Sequence, residues 1–458
     1  MSDKLSKVLG ISLLIVLGLF IYWMQSGSAD EWADEQSNKD IVEEIENDIF
    51  LSNDIFLSND FEDKALLFIG LMKNKDKHYH TYDVVGGNDI SDVLTSIRIS
   101  EGAYNFFNKN TEIINGVEII RVPTIPRLNG GALGMILNYL SFLFFVFFVF
   151  LFKIKNKYDL VFATLLTPAT SLLPMIWIKR RFKIPVILWV LDLWPDSFYA
   201  NTSFRINLVS KLIEKISDQV YNNADSIFIS SNYFRKPIIK RLNSTKRFSF
   251  FPNWAEDIFY NKIKNTSLDQ FTYPEGFNIV FTGNIGESQG FEDIVEAAKM
   301  TSHTSINWIL IGDGRKKDWI KSQIEDHNIK NIYIPGRYPL ELMPTYFSLA
   351  DILLITLKKD EVFSNTLPAK LQPYLTSGKP ILGNLSGEGL DIIQNNSIGL
   401  GCDPGNPEQL AKLAIEMSLF TNTRLSEIRK NSLELNENVF DKEKIFNKLL
   451  SEIKLYQK

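Results

Sequence analysis

A doubly wound α/β protein built from two parts is predicted by three observations. Strands and helices alternate from Tyr158 onward, three strand–glycine loop–helix units follow one another between Phe277 and Pro380, and 458 residues exceed one ordinary core. Parallel sheets carry their ligands at the carboxyl ends of the strands, and glycines there let backbone N–H groups approach a phosphate closely. One glycine loop has a purely steric explanation as often as a functional one. Three at this spacing point to a nucleotide-binding edge.

Taken in order, the chain opens with an apolar stretch, Val8 to Met24, that follows Lys4 and Lys7 and precedes the acidic Asp30-Glu31. That pattern is expected of a short spanning helix with its amino end inside rather than of a cleaved signal. Residues 1–63 form this segment and an acidic linker, which contains a six-residue tandem repeat, Asn47 to Ser52 followed by Asn53 to Ser58. A duplication this short is tolerated in a linker and is assigned no role. Globular patterning begins at Lys64, and Asn115-Gly116 reads as a turn into a strand over Val117–Val122.

Ala132 to Phe152 is rich in Phe and Leu and is followed by Lys153, Lys155 and Lys157. Two readings are open. It spans a membrane with its carboxyl end in the cytoplasm, or it is a buried or interfacial helix of the first domain. In the second case the basic run Lys179 to Lys183 helps hold the domain on anionic lipid.

The first domain, 64–247, is then expected to contain strand Leu160–Thr164, a helix near Pro168–Ile178, strand Pro185–Leu191, a loop Asp192–Ala200, helix Leu208–Asn222 and strand Ser226–Ser230. A second domain, 248–440, follows a boundary near Arg247–Asn253. Its first unit has a strand over Asn278–Phe281, a turn with Gly283 and Gly286, and a helix from about Phe291. The second unit places Gly312, Asp313 and Gly314 between strand and helix. The third opens a helix at Pro368 and closes it near Gly378, with Lys370 in its first turn. Residues 441–458 carry Ile445, Leu449, Ile453 and Leu455 at helical spacing, so an amphipathic helix packs back on the body.

Composition narrows the chemistry. Net charge is −5, and no block is basic enough for a nucleic-acid protein. The single cysteine, Cys402, excludes a disulfide framework, and no Cys/His cluster offers a structural metal site. With four histidines, two of them at His78 and His80 in a charged segment, histidine catalysis is not expected. Two other residues stand out. Asp192, directly after a buried strand, is placed to accept a hydrogen bond from a sugar hydroxyl, with the alternative that Asp192 or Asp196 merely caps the next helix. Lys370 at a helix start opposes the helix dipole, so it calls for a compensating anion such as phosphate, or else is simply solvated.

GNIGESQG, IGDG, PGRYPLELMPTYFSLADILL and LPAKLQPYLTSGKPIL together resemble the second domain of family-4 glycosyltransferases of GT-B fold. LDLWPDS and FPNWAEDIF are similar to the same family in its first domain and linker, within the bacterial surface-polysaccharide branch that resembles L-fucosamine transferases. The resemblance runs from about Ile114 to Leu450. It implies two Rossmann-like doubly wound domains facing a cleft, with apolar membrane-contacting segments.

It also implies a retaining glycosyltransferase that takes a sugar from a nucleotide-sugar, usually UDP-linked, with no cofactor and no essential metal. By resemblance, Gly283, Asn284 and Gly286 approach the donor phosphates, and Gly312, Asp313 and Gly314 lie in the nucleotide cleft. The backbone at Arg337 and Tyr338 faces the base, and Thr366, Leu367 and Lys370 hold the diphosphate, with Asn365 beside them. Asp192 meets the acceptor hydroxyl. Asp192 and Lys370 are thus the expected catalytic pair. The acceptor expected from the apolar segments and the family together is a polyprenyl-diphosphate-linked glycan of capsule or O-antigen assembly. Membrane lipid is the further partner, at the cytoplasmic face of the bacterial inner membrane.

Three departures qualify this. Family members carry Arg and Lys in the first glycine loop where this chain has Asn284 and Gln289, which shifts phosphate charge onto Lys370 and Arg315 or Lys316. The family's paired glutamates fall at Asn365 and Pro373, so a side-chain acceptor for the ribose is missing at the second position. No first strand and glycine loop of the amino-terminal domain is recognised before Asn115. The competing expectation is therefore a catalytically weak nucleotide-sugar-binding scaffold subunit of a polysaccharide assembly complex. A nucleotide-dependent oxidoreductase is disfavoured because no GxGxxG unit carries its acidic ribose partner.

Overall fold

The computed structural model describes residues 65–73, 79–83, 91–98, 111–114, 117–124, 137–146, 160–166, 168–201, 207–260 and 271–456, with the segments before 137 given by backbone alone. The Val8–Met24 segment, the tandem repeat and Lys153 to Lys157 lie outside the described residues.

Two six-stranded sheets organise the molecule. The first contains β1 (Ala65–Lys73), β2 (Tyr79–Asp83), β6 (Leu160–Leu165), β7 (Val186–Val190), β8 (Ser226–Ile229) and β9 (Arg247–Phe250), in the order β2-β1-β6-β7-β8-β9. All neighbours run parallel except β2 against β1. β3 (Ser91–Arg98), β4 (Thr111–Ile114) and β5 (Val117–Thr124) form a separate three-stranded sheet in which Ile114 pairs with Val117.

Two sequence expectations change here. A strand does precede Asn115: β1 pairs in parallel with β6, Ala65 opposite Leu160. And β9 belongs to the first sheet, so the boundary drawn at residue 247 cuts through a strand.

The second sheet is all parallel, in the order β12-β11-β10-β13-β14-β15. Its strands are β10 (Phe277–Asn284), β11 (Ile306–Asp313), β12 (Ile332–Gly336), β13 (Ile352–Thr356), β14 (Ile381–Asn384) and β15 (Gly399–Cys402). Strand order reverses between β10 and β13, and the crevice outside that reversal is where such sheets receive ligands. Helices Phe291–Met300 and Pro407–Ser418 cover one face, and Met343–Leu349 and Leu371–Ser377 the other. The strands read as continuous apolar runs because both faces are buried.

The helix Lys442–Lys454 begins at Asp441, whose side chain accepts from the Lys444 N–H at 2.9 Å. It crosses back to the first sheet rather than staying with the second. Ile445, Phe446, Leu449 and Ile453 pack with Leu160, Phe162, Trp189 and Phe251. The expected face was right except at its end, where Leu455 is exposed and Phe446 is buried instead. The connecting segment is pinned at the same place: Trp254 stacks on Trp189 at 6.0 Å and meets Phe446 edge-on at 4.6 Å.

Residues 137–146 form a helix with Phe142 and Val146 in the first core. Among the described residues no helix is long and apolar enough to cross a membrane. In the nearby basic run Lys179 is committed to Asp225 at 2.6 Å, while Arg180, Arg181 and Lys183 are exposed.

Candidate active site

At the carboxyl edge of the second sheet, β10 and β11 end in register, Gly283 opposite Gly312 and Asn284 opposite Asp313. The two backbones approach so closely that a Cβ on Gly312 falls 1.8 Å from the Gly283 carbonyl oxygen. No other residue fits there. The Asn284 side chain lies between the next two glycines: a Cβ on Gly286 meets its Nδ2 at 2.7 Å, and one on Gly314 meets its Oδ1 at 2.6 Å. The Ile285 N–H donates to the Asp313 carbonyl at 2.8 Å and the Lys316 N–H to the Ile285 carbonyl at 3.0 Å, so the two loops form one unit. Asp313 stays within its own loop and helix start, accepting from the Gly314 N–H at 2.9 Å and pairing with Lys317 at 3.4 Å.

Across the strand-order reversal the same loop is tied to β13. Thr356 Oγ1 donates to the Gln289 carbonyl at 2.6 Å, and the Lys358 N–H donates to the Ser288 carbonyl at 2.9 Å.

Lys370 reaches into this crevice. It sits one residue before the helix Leu371–Ser377 rather than inside its first turn. Its aliphatic chain occupies the space that Gly283 leaves empty, where a Cβ comes within 2.8 Å of Cε. The ammonium lies 4.7 Å from the Phe281 ring centroid and donates to Gln289 Oε1 at 3.2 Å. Among the described residues it forms no ion pair. Enclosure by packed neighbours, with no acid to offset it, lowers the Lys370 pKa to about 8. A cation packed this way, with one neutral acceptor and a π face, is short of negative charge.

Tyr374, one turn on, fixes its hydroxyl against both the N–H and the hydroxyl of Thr282 at 3.1 Å. It therefore binds the lysine's helix to the glycine-loop strand.

The other expected residues are less concentrated. Asn365 ends the short helix Glu361–Asn365, and its carbonyl lies within hydrogen-bond reach of the Ser231 hydroxyl of the first half, whose one proton is shared between it and Glu388. The Thr366 hydroxyl donates to the Val362 carbonyl at 2.9 Å, and Leu367 is buried. Arg337 is exposed just past β12, and Tyr338 stacks on Tyr346 at 4.9 Å. Of the two cations offered as substitutes in the first loop, Lys316 is already occupied: it pairs with Glu292 at 2.6 Å and Glu287 at 3.4 Å, over the Trp319 ring. Arg315 is exposed.

On the first sheet, Asp192 follows β7, with the N–H groups of Leu191 and Asp192 both donating to the Leu165 carbonyl at 3.1 Å. The loop beyond it contains a cis Trp194-Pro195 bond and a helix over Asp196–Asn201, within the stretch expected to be irregular. Tyr221 holds this turn, donating to the Trp194 carbonyl at 2.9 Å and accepting from the Trp194 N–H at 3.2 Å. Asp196 opens the helix, and burial raises its pKa against the opposing pull of Arg241.

The contacts that join the two halves across the cleft were not anticipated. Glu388, after β14, accepts from Asn232 Nδ2 at 2.7 Å, from the Tyr233 N–H at 3.3 Å and from the Ser231 hydroxyl. Asp391 accepts from the Tyr233 hydroxyl. Neither carboxylate lies in a motif whose spacing announces a partner.

Residues 266–431 match the family described as Glycosyl transferases group 1. The chain carries a glycosyl transferases group 1 domain and is a glycosyltransferase. Its relatives include the probable glycosyltransferase WbjE of Pseudomonas aeruginosa, 24% identical over 275 residues that cover 59% of this chain and 68% of that protein. The putative colanic acid biosynthesis glycosyl transferase WcaI of Escherichia coli is 23% identical over 175 residues, 37% of this chain and 43% of that one. The putative teichuronic acid biosynthesis glycosyltransferase TuaH of Bacillus subtilis is 27% identical over 198 residues, 42% and 48% of the two chains. The printed names place WcaI in colanic acid biosynthesis and TuaH in teichuronic acid biosynthesis.

Solved structures share the fold. Anabaena HepE in complex with UDP matches with a TM-score of 0.54 at 15% identity, over 73% of this chain and 86% of that one. Sucrose-phosphate synthase from Thermosynechococcus elongatus matches at 0.60 and 14% identity, over 77% and 86%. The architecture is GT-B: two parallel-stranded α/β halves with a cleft between their carboxyl edges.

Proposed function

We propose that this glycosyltransferase transfers a sugar, with retention, from a UDP-linked donor to a polyprenyl-diphosphate-linked glycan during capsule or O-antigen synthesis. The site of action in this reading is the cytoplasmic face of the bacterial inner membrane, and the branch is the one that resembles L-fucosamine transferases. The observation that carries it is Lys370. A lysine enclosed beside two interlocked glycine loops, without a carboxylate, is arranged for an anion that arrives with the substrate. Nucleoside diphosphate is the leaving group, and its charge grows as the anomeric C–O bond breaks. Backbone N–H groups and one lysine stabilise that charge most in the transition state, which is where binding accelerates a reaction. In this reading a metal ion is not required, because Lys370 supplies the counter-charge.

The new bond joins the acceptor oxygen to the anomeric carbon on the face the diphosphate leaves, and the acceptor's proton passes to the departing phosphate oxygen. Asp192 orients the acceptor by accepting a hydrogen bond from it. The names of WcaI and TuaH support a role in polysaccharide synthesis, that of WbjE supports glycosyl transfer, and the UDP complex of HepE supports the nucleotide.

Thermal unfolding of the detergent-purified protein with UDP, GDP, CDP and ADP in turn, each with EDTA, tests the donor assignment. A nucleotide at a hundred times its dissociation constant adds about 2.7 kcal/mol of stability. The expected result is a shift with UDP alone. No shift with any of the four from a folded sample sinks the proposal, whereas a UDP shift without sugar transfer favours the scaffold.

A further inference from the structure

Glu388 is 5% exposed, and among the described residues no cation pairs with it. Its hydrogen-bond donors come from the opposite half of the molecule: Asn232 Nδ2 on one carboxylate oxygen, the Tyr233 N–H and the Ser231 hydroxyl on the other. Charge-assisted hydrogen bonds of this kind are the strong ones, and these exist only while Ser231–Tyr233 is seated on the second half.

The glycines that flank it are wedged against the segment that leads to Lys370. Gly387, at φ +74°, packs so tightly that a Cβ there falls 1.8 Å from the Ser364 carbonyl oxygen. A Cβ on Gly389 meets Pro368 Cδ at 3.0 Å. Ser231 touches both sides of this arrangement, because its hydroxyl also lies within hydrogen-bond reach of the Asn365 carbonyl. Glu388 therefore meets the first half through its carboxylate, while the glycines on either side of it pack against Ser364 and Pro368.

We infer that Glu388 is a positioning residue that couples closure of the cleft to the placement of Lys370. Closing seats Ser231–Tyr233 on the carboxylate and fixes Asn365 from the far side. The 365–370 segment is then held in one place as the lysine meets the diphosphate. Opening removes all three donors and leaves the carboxylate to water. A contact present in one state and absent in the other shifts the balance between them, and closure of this sort completes a site in many transferases. The inference rests on the reading of Lys370 as the partner of the donor diphosphate.

Glu388→Gln keeps the size of the side chain but turns one acceptor into a donor that faces other donors. Spin labels at exposed Lys240 and Glu408, one in each half, report the separation by pulsed EPR, with and without UDP. Wild type is expected to show a single short distance with UDP. Glu388→Gln is expected to keep a long-distance population, to lower kcat about tenfold, and to change the donor KM less than threefold. Ser231→Ala, which leaves the Asn232 and Tyr233 bonds in place, should show the same changes at smaller amplitude and carries the test if Glu388→Gln does not fold. Identical distance distributions in wild type and both variants overturn the inference, as does a lowered melting temperature with unchanged kcat and distances. If wild type binds no UDP, the donor reading fails by itself, and the distance comparison in nucleotide-free protein still decides whether Glu388 holds the halves together.

Discussion

The carboxyl edges of the two sheets face one cleft but are built on different terms. On the second sheet the shape is made by backbone: Gly283 and Gly312 pair in register with no room for a Cβ, and a single lysine fills the space so created. On the first sheet it is made by side chains: Tyr221 pins the Trp194 peptide, and Leu193 and Trp194 are buried in the loop between Asp192 and Asp196. The hydroxyls of Thr164 and Thr170, at the exit of β6, are buried without a hydrogen-bond partner among the described residues. An edge shaped by backbone can recognise what every nucleotide-sugar has in common, the diphosphate. An edge shaped by side chains can change its acceptor by substitution.

The contrast is broken most directly at Lys370. Lys370→Ala removes the crevice cation that forms no ion pair among the described residues, and loss of a donor to developing charge typically costs about a hundredfold or more in rate. UDP binding should weaken together with transfer, while uridine binding stays near wild type; titration of both ligands checks this. Equal weakening of UDP and uridine would falsify the phosphate role.

Asp192→Asn addresses the other edge, with a smaller effect. A hydrogen bond to a charged group is worth about 1.5–3 kcal/mol, so transfer should fall on the order of tenfold to a hundredfold. Donor affinity, set on the opposite sheet, should stay within twofold. Full transfer activity in this variant reduces Asp192 to a structural residue of the loop and leaves the first edge without an acceptor contact among the residues singled out.

The same contrast explains what could be read in the sequence. Gly283, Gly286, Gly312 and Gly314 announce themselves because a steric rule admits one residue type, and Lys370 because a cation at a helix start needs a reason. The parallel strands were legible as apolar runs between helices. β1 was not, because ALLFIGLMK follows an acidic linker and shows no glycine loop of the familiar kind, and its place became visible only through pairing with β6. β9 was missed for a related reason: Arg247 to Phe250 is an edge strand, only partly buried, and carries little apolar signal. Glu388 and Ser231 are 157 positions apart, and an interaction between a carboxylate and a distant loop leaves no periodicity. The partners of Lys316 were equally hidden, because sequence counts a charge without showing that Glu287 and Glu292 pair with it.

The smallest expected effect is on pH dependence, and it belongs to the backbone-built edge alone. Below about pH 8 Lys370 is charged in both folded and unfolded protein, and folding bears the full cost of enclosing the charge. Between about 8 and the ordinary lysine value of 10.5 the folded protein has released a proton that the unfolded chain still binds. The nucleotide-free protein should therefore gain stability as pH rises through that window. A bound diphosphate reverses the sign for its own contribution, because an anion beside the ammonium favours the charged form. UDP affinity should then be level up to about pH 8 and fall by up to about tenfold by pH 9, since each unit above the free-protein pKa adds one factor of ten to the work of reprotonation. Calorimetric titration from pH 7 to 9, on wild type and Lys370→Ala, measures this directly. In the variant the slope should vanish, and Asp192→Asn should leave it intact. A wild-type affinity that stays level to pH 9 means that the diphosphate does not lie against Lys370, and the crevice at the strand-order reversal then holds another part of the donor.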